Sequence, residues 1–223
     1  MKVIELHKSV TESNDRDAEK LRRELRQQGV LLINVMSSAG SGKTTLLSRI
    51  IRDLGKELRI AVLEADIDAQ VDAERIAALG ARSIQVHTDG MCHMDAGMTR
   101  RGLEEMGLAE TDLAFLENIG NLICPAEYDT GAGKKLMILS VPEGDDKPLK
   151  YPLMFRESDV LVVTKIDALP YFNFDLEKLV ERVHHLNPAI RIYPVSAKTG
   201  EGMEALEAWL REAVREWKVP AQL

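Results

Sequence analysis

The chain has 223 residues, 45% hydrophobic and 29% charged, the proportions of a packed globular protein rather than a disordered or membrane-embedded one. Its 36 acidic against 29 basic side chains leave a net charge of -7, which argues against a general nucleic-acid surface. No apolar stretch approaches the ~18 residues of a membrane span, and Glu5, His7 and Lys8 break the opening run, so neither membrane insertion nor an export segment is expected.

In chain order, residues 1–29 read as an N-terminal extension carrying a polar helix over 14–28. Leu21 and Leu25 share one face of that helix, Asn14 or Ser13 caps its start, and Gly29 stops it. Short β-rich runs then follow at 30–36, 59–64, 83–87, 113–117, 136–141, 160–164 and 190–195. Between them, apolar residues at three-to-four spacing predict helices over 43–54, 72–79, 92–106, 175–186 and 203–217. The most loop-like stretch, V-P-E-G-D-D-K-P at 141–148, reads as a surface loop and separates no domains. Strands alternating with helices predict a three-layer α/β/α fold with a mostly parallel sheet, and continuous apolar strands such as V-L-L-I-N-V-M fit burial on both faces. Ligands of such sheets bind beyond the carboxyl ends of the strands.

The first buried strand runs into S-S-A-G-S-G-K-T-T at 37–45 and then directly into a helical pattern. Gly40, Ser41, Gly42, Lys43, Thr44 and Thr45 thus form a phosphate-binding loop, whose successive N–H groups and helix N-terminus attract anions. Lys43 adds a full positive charge for catalysis, and Thr44 stands where such loops place a magnesium-binding hydroxyl. Ser37 departs from the general pattern, which begins with glycine. Residues 30–223 accordingly read as one P-loop domain, so that the chain is a single domain overall.

Asp66 ends the next strand and Asp72 follows in the connection; either acid can serve magnesium directly or through water. For Asp72 the competing role is a helix N-cap. Glu117 ends the strand L-A-F-L-E and can hold the metal shell or a water, and Gly120 lets a backbone N–H approach a γ-phosphate. Base selection is read at T-K-I-D, 164–167, and S-A-K, 196–198. The Asp167 carboxylate accepts from guanine N1–H and N2–H₂, which adenine cannot both supply. Lys165 can lay its stem on the base, and the backbone near Ser196, Ala197 and Lys198 can meet the guanine carbonyl. Thr164 replaces the asparagine of the commonest motif, which leaves a side-chain tie from there to the phosphate loop open. A kinase of small molecules would lack this pairing of T-K-I-D with S-A-K and prefer ATP.

Cys92 and His93, adjacent in D-G-M-C-H-M-D-A-G, and Cys124 in E-N-I-G-N-L-I-C-P are ligands suited to nickel or zinc. A helix start near Cys92 would favour its thiolate. Three ligands are too few for a closed tetrahedral site, a deficit that water or a second protomer can fill. The competing reading is two buried structural cysteines with a capping histidine. Two cysteines without an export segment fit the reducing cytoplasm.

S-S-A-G-S-G-K-T-T, V-D-A-E-R-I, G-M-C-H-M-D-A and F-L-E-N-I-G-N-L-I-C-P-A-E together resemble the HypB family of hydrogenase nickel-incorporation GTPases, relatives of the urease accessory protein UreG. The resemblance covers nearly the whole chain from the phosphate loop to S-A-K, and Ser37 is familiar in that family. It implies GTP hydrolysis to GDP and phosphate, coupled to delivery of nickel to a metalloenzyme precursor. It also implies nucleotide contacts from the phosphate loop, Lys165 and Asp167, and a dimer-interface site for nickel or zinc from Cys92, His93 and Cys124. The implied partners are a second copy of the chain, a HypA-type nickel protein and a hydrogenase large-subunit precursor. Another nickel enzyme such as urease, or nucleotide-gated interaction with negligible turnover, are the alternatives. The histidine-rich storage segment of some relatives does not occur here.

Overall fold

In a computed structural model, the described residues are 6–65, 76, 78–88 and 90–219. Seven strands form one sheet: β1 Leu31–Ser37, β2 Ile60–Glu64, β3 Arg82–Gln85, β4 Leu113–Glu117, β5 Lys134–Ser140, β6 Val160–Thr164 and β7 Arg191–Pro194. Their order is β3-β2-β4-β1-β5-β6-β7, and every pairing is parallel, so the sheet is more regular than the mostly parallel one expected. Parallel pairing demands helical crossovers, and these cover both faces.

The alternation of side chains along the strands decides which helix each residue meets. Leu31, Ile33 and Val35 of β1 point into a core shared with α2 (Lys43–Leu54) and with Leu206, Leu210 and Val214 of the C-terminal helix α8 (Met203–Lys218). Leu32 points the other way, to Leu21 and Leu25 of α1 (Leu6–Gln27) and Leu103 of α3 (Ala96–Met106). Met36, Met137 and Val163 continue that second face over Met154 of the short α6 (Pro152–Arg156) and Leu179 and Val183 of α7 (Leu176–Leu186). Each large apolar side chain buried this way stabilises the fold by roughly 1.5–3 kcal/mol. Two further short helices, α4 (Cys124–Glu127) and α5 (Lys147–Lys150), complete the described set.

Helix α2 has the predicted bounds, while other boundaries moved for identifiable reasons. The first helix starts at Leu6, not at 14, so neither Asn14 nor Ser13 caps it. Asn14 instead sits mid-helix, accepts from the Ala96 N–H at 3.0 Å and donates to the Asp129 carbonyl at 2.9 Å. Gly29 ends the segment at φ 70°, a left-handed conformation favourable only to glycine. Helix α3 begins at Ala96 rather than at Cys92, because Asp95 accepts the Met98 N–H at 2.7 Å and caps it there. The stretch at 141–148 is not an open loop: Glu143 accepts from both the N–H and the hydroxyl of Ser140 at 2.8 Å, closing a 3₁₀ turn over 141–143. Of the expected helix over 72–79 only residues 76, 78 and 79 are described.

Candidate functional site

Because all seven strands run the same way, the segments following β1, β4, β5, β6 and β7 emerge at one edge. Strand β1 is central, with β4 and β5 as its neighbours, and the loop from Ser37 to Lys43 leaves from it. Gly40 and Gly42 have φ 72° and 96°, which let the loop turn its amides inward before α2 begins at Lys43. Lys43 is buried, and the Ser41 hydroxyl is buried without a hydrogen-bond partner among the described residues. An orphaned hydroxyl and a buried ammonium at a helix N-terminus fit a phosphate-bearing ligand. Thr45, by contrast, is exposed.

The Thr44 hydroxyl donates to Glu117 at the end of β4 at 3.1 Å. A hydroxyl and a carboxylate side by side at the phosphate loop are the hard oxygen donors that magnesium takes. Asp66 and Asp72, the other acids expected there, lie outside the described residues. Gly120 packs against the loop itself: a Cβ there would stand 3.0 Å from the Ala39 backbone, so no other residue fits without displacing one of the two segments.

The expected base pocket is tied to the phosphate loop at two points. Thr164 Oγ1 donates to the Ser41 carbonyl at 2.7 Å, so threonine makes the connection that the replacement of asparagine had left open. Lys165 Nζ donates to the Gly40 carbonyl at 2.8 Å from a backbone at φ 61°, the one non-glycine residue in the left-handed region among those described. Asp167 accepts from the Ser196 hydroxyl at 2.7 Å, which joins T-K-I-D to S-A-K. Ala197 is half-buried and Lys198 exposed.

Cys92, His93 and Cys124 come together with their donor atoms all within 4.8 Å of one another. The two sulfurs are 2.8 Å apart and His93 Nδ1 lies 3.7 Å from Cys92 Sγ. Cys92 is exposed and Cys124 half-exposed, so the pair is not the buried structural cysteines of the competing reading. Neither is Cys92 at a helix start, since it stands four residues ahead of Ala96. The His93 ring stacks on Tyr128 with centroids 3.6 Å apart, and burial pulls its pKa down against the opposing charges of Asp95 and Glu127. The hydrogen bond to Cys92, together with burial, pushes the Cys124 thiol up. A neutral imidazole and paired sulfurs make a donor set suited to a borderline or soft divalent cation.

Three residues escaped the sequence reading. Asn118 is fully buried; its amide donates to Asn34 at 3.0 Å, and its oxygen accepts from the N–H groups of Ile119 at 2.9 Å and Met94 at 3.3 Å. Asn121 donates to Cys124 Sγ at 3.5 Å. Glu143 accepts from Ser38 of the phosphate loop as well as from Ser140. Asn118 and Asn121 stand in the quoted E-N-I-G-N run, and a polar residue next to a buried strand end was the available signal.

A glycine loop entering a helix from the central strand of an all-parallel sheet, with an aspartate-bearing loop two strands away, defines a P-loop nucleotide-binding protein. The family model for the CobW/HypB/UreG nucleotide-binding domain matches residues 31–194. Hydrogenase maturation factor HypB of Rhizobium leguminosarum is 43% identical over 96% of this chain and 73% of its own length. Among solved structures, HypB of Archaeoglobus fulgidus superposes with a TM-score of 0.85 at 36% identity, covering 91% of this chain and 98% of that one. HypB of Helicobacter pylori, solved in complex with nickel, gives 0.86 at 35% identity over 95% and 100% of the two chains. The chain belongs to the CobW/HypB/UreG family of P-loop GTPases and groups within it with the HypB hydrogenase maturation factors.

Proposed function

We propose that this chain is a GTP-hydrolysing metallochaperone that couples nucleotide state to binding and delivery of nickel for [NiFe]-hydrogenase maturation. In this reading one P-loop domain carries both sites. The phosphate loop amides and Lys43 bind the phosphates, and Lys165, Asp167 and the S-A-K backbone select guanine. Thr44 and Glu117 hold magnesium with Asp66 and Asp72, and the ion when bound offsets phosphate charge. Glu117 and Asp66 are placed in the reaction as residues that orient water or the metal shell. Nickel is the cargo, held by Cys92, His93 and Cys124, with zinc as the competing ion.

The observation that carries this reading is the chain of contacts between the two sites. Gly120 lies on the phosphate loop, and two residues before it Asn118 bonds to Met94, next to His93. A γ-phosphate that moves the Glu117–Gly120 turn therefore shifts Cys124 relative to Cys92 and His93. Met91 and Ile123, 36% and 54% exposed, place large apolar side chains beside both cysteines. That surface favours a second copy of the chain, whose donors complete the coordination. The further partners are a HypA-type nickel protein and a hydrogenase large-subunit precursor, in the cytoplasm; among the described residues no helix is long and apolar enough to cross a membrane.

Phosphate release from GTP and from ATP, and nickel and zinc titrations with GDP or a non-hydrolysable GTP analogue, test the proposal. Guanine-selective release with metal affinity and dimerisation that differ between the two nucleotides supports it. Equal metal affinity in both states would leave a GTPase without a coupled cargo.

A further inference from the structure

We infer that Arg49, on α2, is a specificity-positioning residue: it orients the backbone of the S-A-K loop for the base from the helix that binds the phosphates. The inference rests on the reading of that loop as the guanine pocket. Its guanidinium is anchored by an ion pair with Asp53 one turn further along α2. From there Nη1 donates to the Ala197 carbonyl at 3.4 Å, at the long end of the range for such a bond. The Nη edge of the same group faces Gly200, where a Cβ would meet Nη2 at 3.1 Å and Nη1 at 3.2 Å. Gly200 has φ 90°, so the loop turns tightly beside the guanidinium, and only glycine serves there.

The chemistry of the peptide unit gives this contact a consequence at the base. A trans peptide is planar, with its C=O and N–H directed oppositely. Drawing the Ala197 oxygen toward α2 therefore turns the Lys198 N–H to the other side of that peptide. The loop's remaining freedom is taken by Ser196, whose hydroxyl donates to Asp167 at 2.7 Å and accepts the Thr199 N–H at 3.2 Å. Ser196 and Arg49 thus fix the two ends of one short turn, so the N–H groups that meet a 6-oxo group are preorganised rather than ordered by ligand. Asp53 is in turn backed by Glu207 of α8, a carboxyl pushed up by burial and by Asp53. The anchor is therefore set between two helices rather than on a free side chain.

An arginine that only braced α2 would affect every ligand of the phosphate loop alike. An arginine that aims the S-A-K backbone affects ligands bearing a 6-oxo group alone. Affinities of the full chain for GDP, ADP and inorganic tripolyphosphate separate the two. Arg49→Gln is expected to lower the preference for GDP over ADP about tenfold, the order of one charge-assisted hydrogen bond, with tripolyphosphate binding unchanged. Asp53→Asn, which releases the guanidinium from its anchor, is read in the same way should Arg49→Gln fold poorly. A parallel loss for all three ligands, or an unchanged GDP preference, overturns the inference. A native protein that does not prefer GDP over ADP overturns the guanine-pocket reading itself, and that result needs no variant.

Discussion

The side-chain oxygen of Asn118 accepts the backbone N–H of Met94 at 3.3 Å, so the residue after Glu117 holds the residue after His93. The same side chain donates to Asn34 in β1, the strand that leads into the phosphate loop. Asn118 is therefore a three-way junction between the phosphate loop's strand, the turn that packs on that loop, and the loop bearing Cys92 and His93. Asn118→Ala leaves the Asn34 oxygen and the Met94 N–H buried without that partner, at a cost of about 1–3 kcal/mol each before relaxation. A lowered unfolding midpoint is expected, together with a smaller difference in metal affinity between the GDP and GTP-analogue states. A variant that stayed fully coupled would show that the link runs elsewhere.

How much of this was legible beforehand depended on whether the chemistry was local in the chain. The phosphate loop, T-K-I-D and S-A-K could be read because glycines, a lysine and a strand-to-helix change fall within a few residues of each other. Even the proposed metal ligands Cys92 and Cys124, 32 residues apart, stood out as residue types, although their 2.8 Å approach did not. The roles of Asn118 and Glu143 were not legible, since an asparagine or glutamate acquires its role from partners that lie 24 and 105 residues away. The first turn of α3 was misread for a related reason. Met91, Met94 and Met98 continue a helical spacing, but Asp95 caps the helix inside that pattern. Thr164 shows the reverse case, a departure from the common motif whose hydroxyl reaches the same loop that an amide would.

Lys43 is buried at the start of α2, directly after the phosphate loop. Lys43→Ala is expected to lower the rate of phosphate release from GTP about 10²–10³-fold, as on losing one preorganised charge at the transition state. Because burying an ammonium carries a desolvation cost, the nucleotide-free variant should unfold at a temperature equal to or above that of the native protein. The rise in midpoint on adding GDP should shrink, since that rise reports binding alone. Normal turnover in the variant would remove Lys43 from the reaction.

At the opposite edge of the sheet, Asp112 accepts from Arg59 at 2.8 Å and from Lys218 at 2.6 Å, clasping the start of β2 to the end of α8. The Arg59 hydrogen bonds first, and then Lys218, hold its carboxyl far below the usual carboxylate range against the effect of burial. A depressed folded-state pKa means that the stability it contributes is complete above the ordinary carboxylate value of about 4 and is lost as pH falls below it. Asp112→Asn should therefore be less stable than the native chain at pH 7, by about 1–2 kcal/mol given that both cations are half-exposed. Denaturant titrations should show the gap between the two proteins narrowing steadily as the pH falls below about 4, with nucleotide affinity at pH 7 unaltered. A gap that stayed constant down to low pH would mean that Asp112 contributes through packing and not through charge.

Cys124 reaches the proposed metal site from α4, whose start follows the turn over the phosphate loop by only four residues counted from Gly120. Among the described residues, its sulfur is hydrogen-bonded to Cys92 Sγ at 2.8 Å and to the Asn121 amide at 3.5 Å. Cys124→Ala therefore removes one donor of three while disturbing little of the core, and the unfolding midpoint should hardly move. Nickel and zinc affinity should fall by at least tenfold, a loss that altering even an outer-shell partner can produce. Thiolate-to-nickel absorption in the near ultraviolet should weaken in step. Linkage then sets a second requirement. If GTP and metal bias the same turn, each must alter the other's affinity by one common factor, and that factor should approach unity in Cys124→Ala. Equilibrium titrations of the GTP analogue with and without nickel, on the native chain and the variant, measure it directly. Undiminished nickel binding in Cys124→Ala would move the metal away from this cysteine cluster, and a coupling factor that survived the substitution would separate the nucleotide switch from the cargo site.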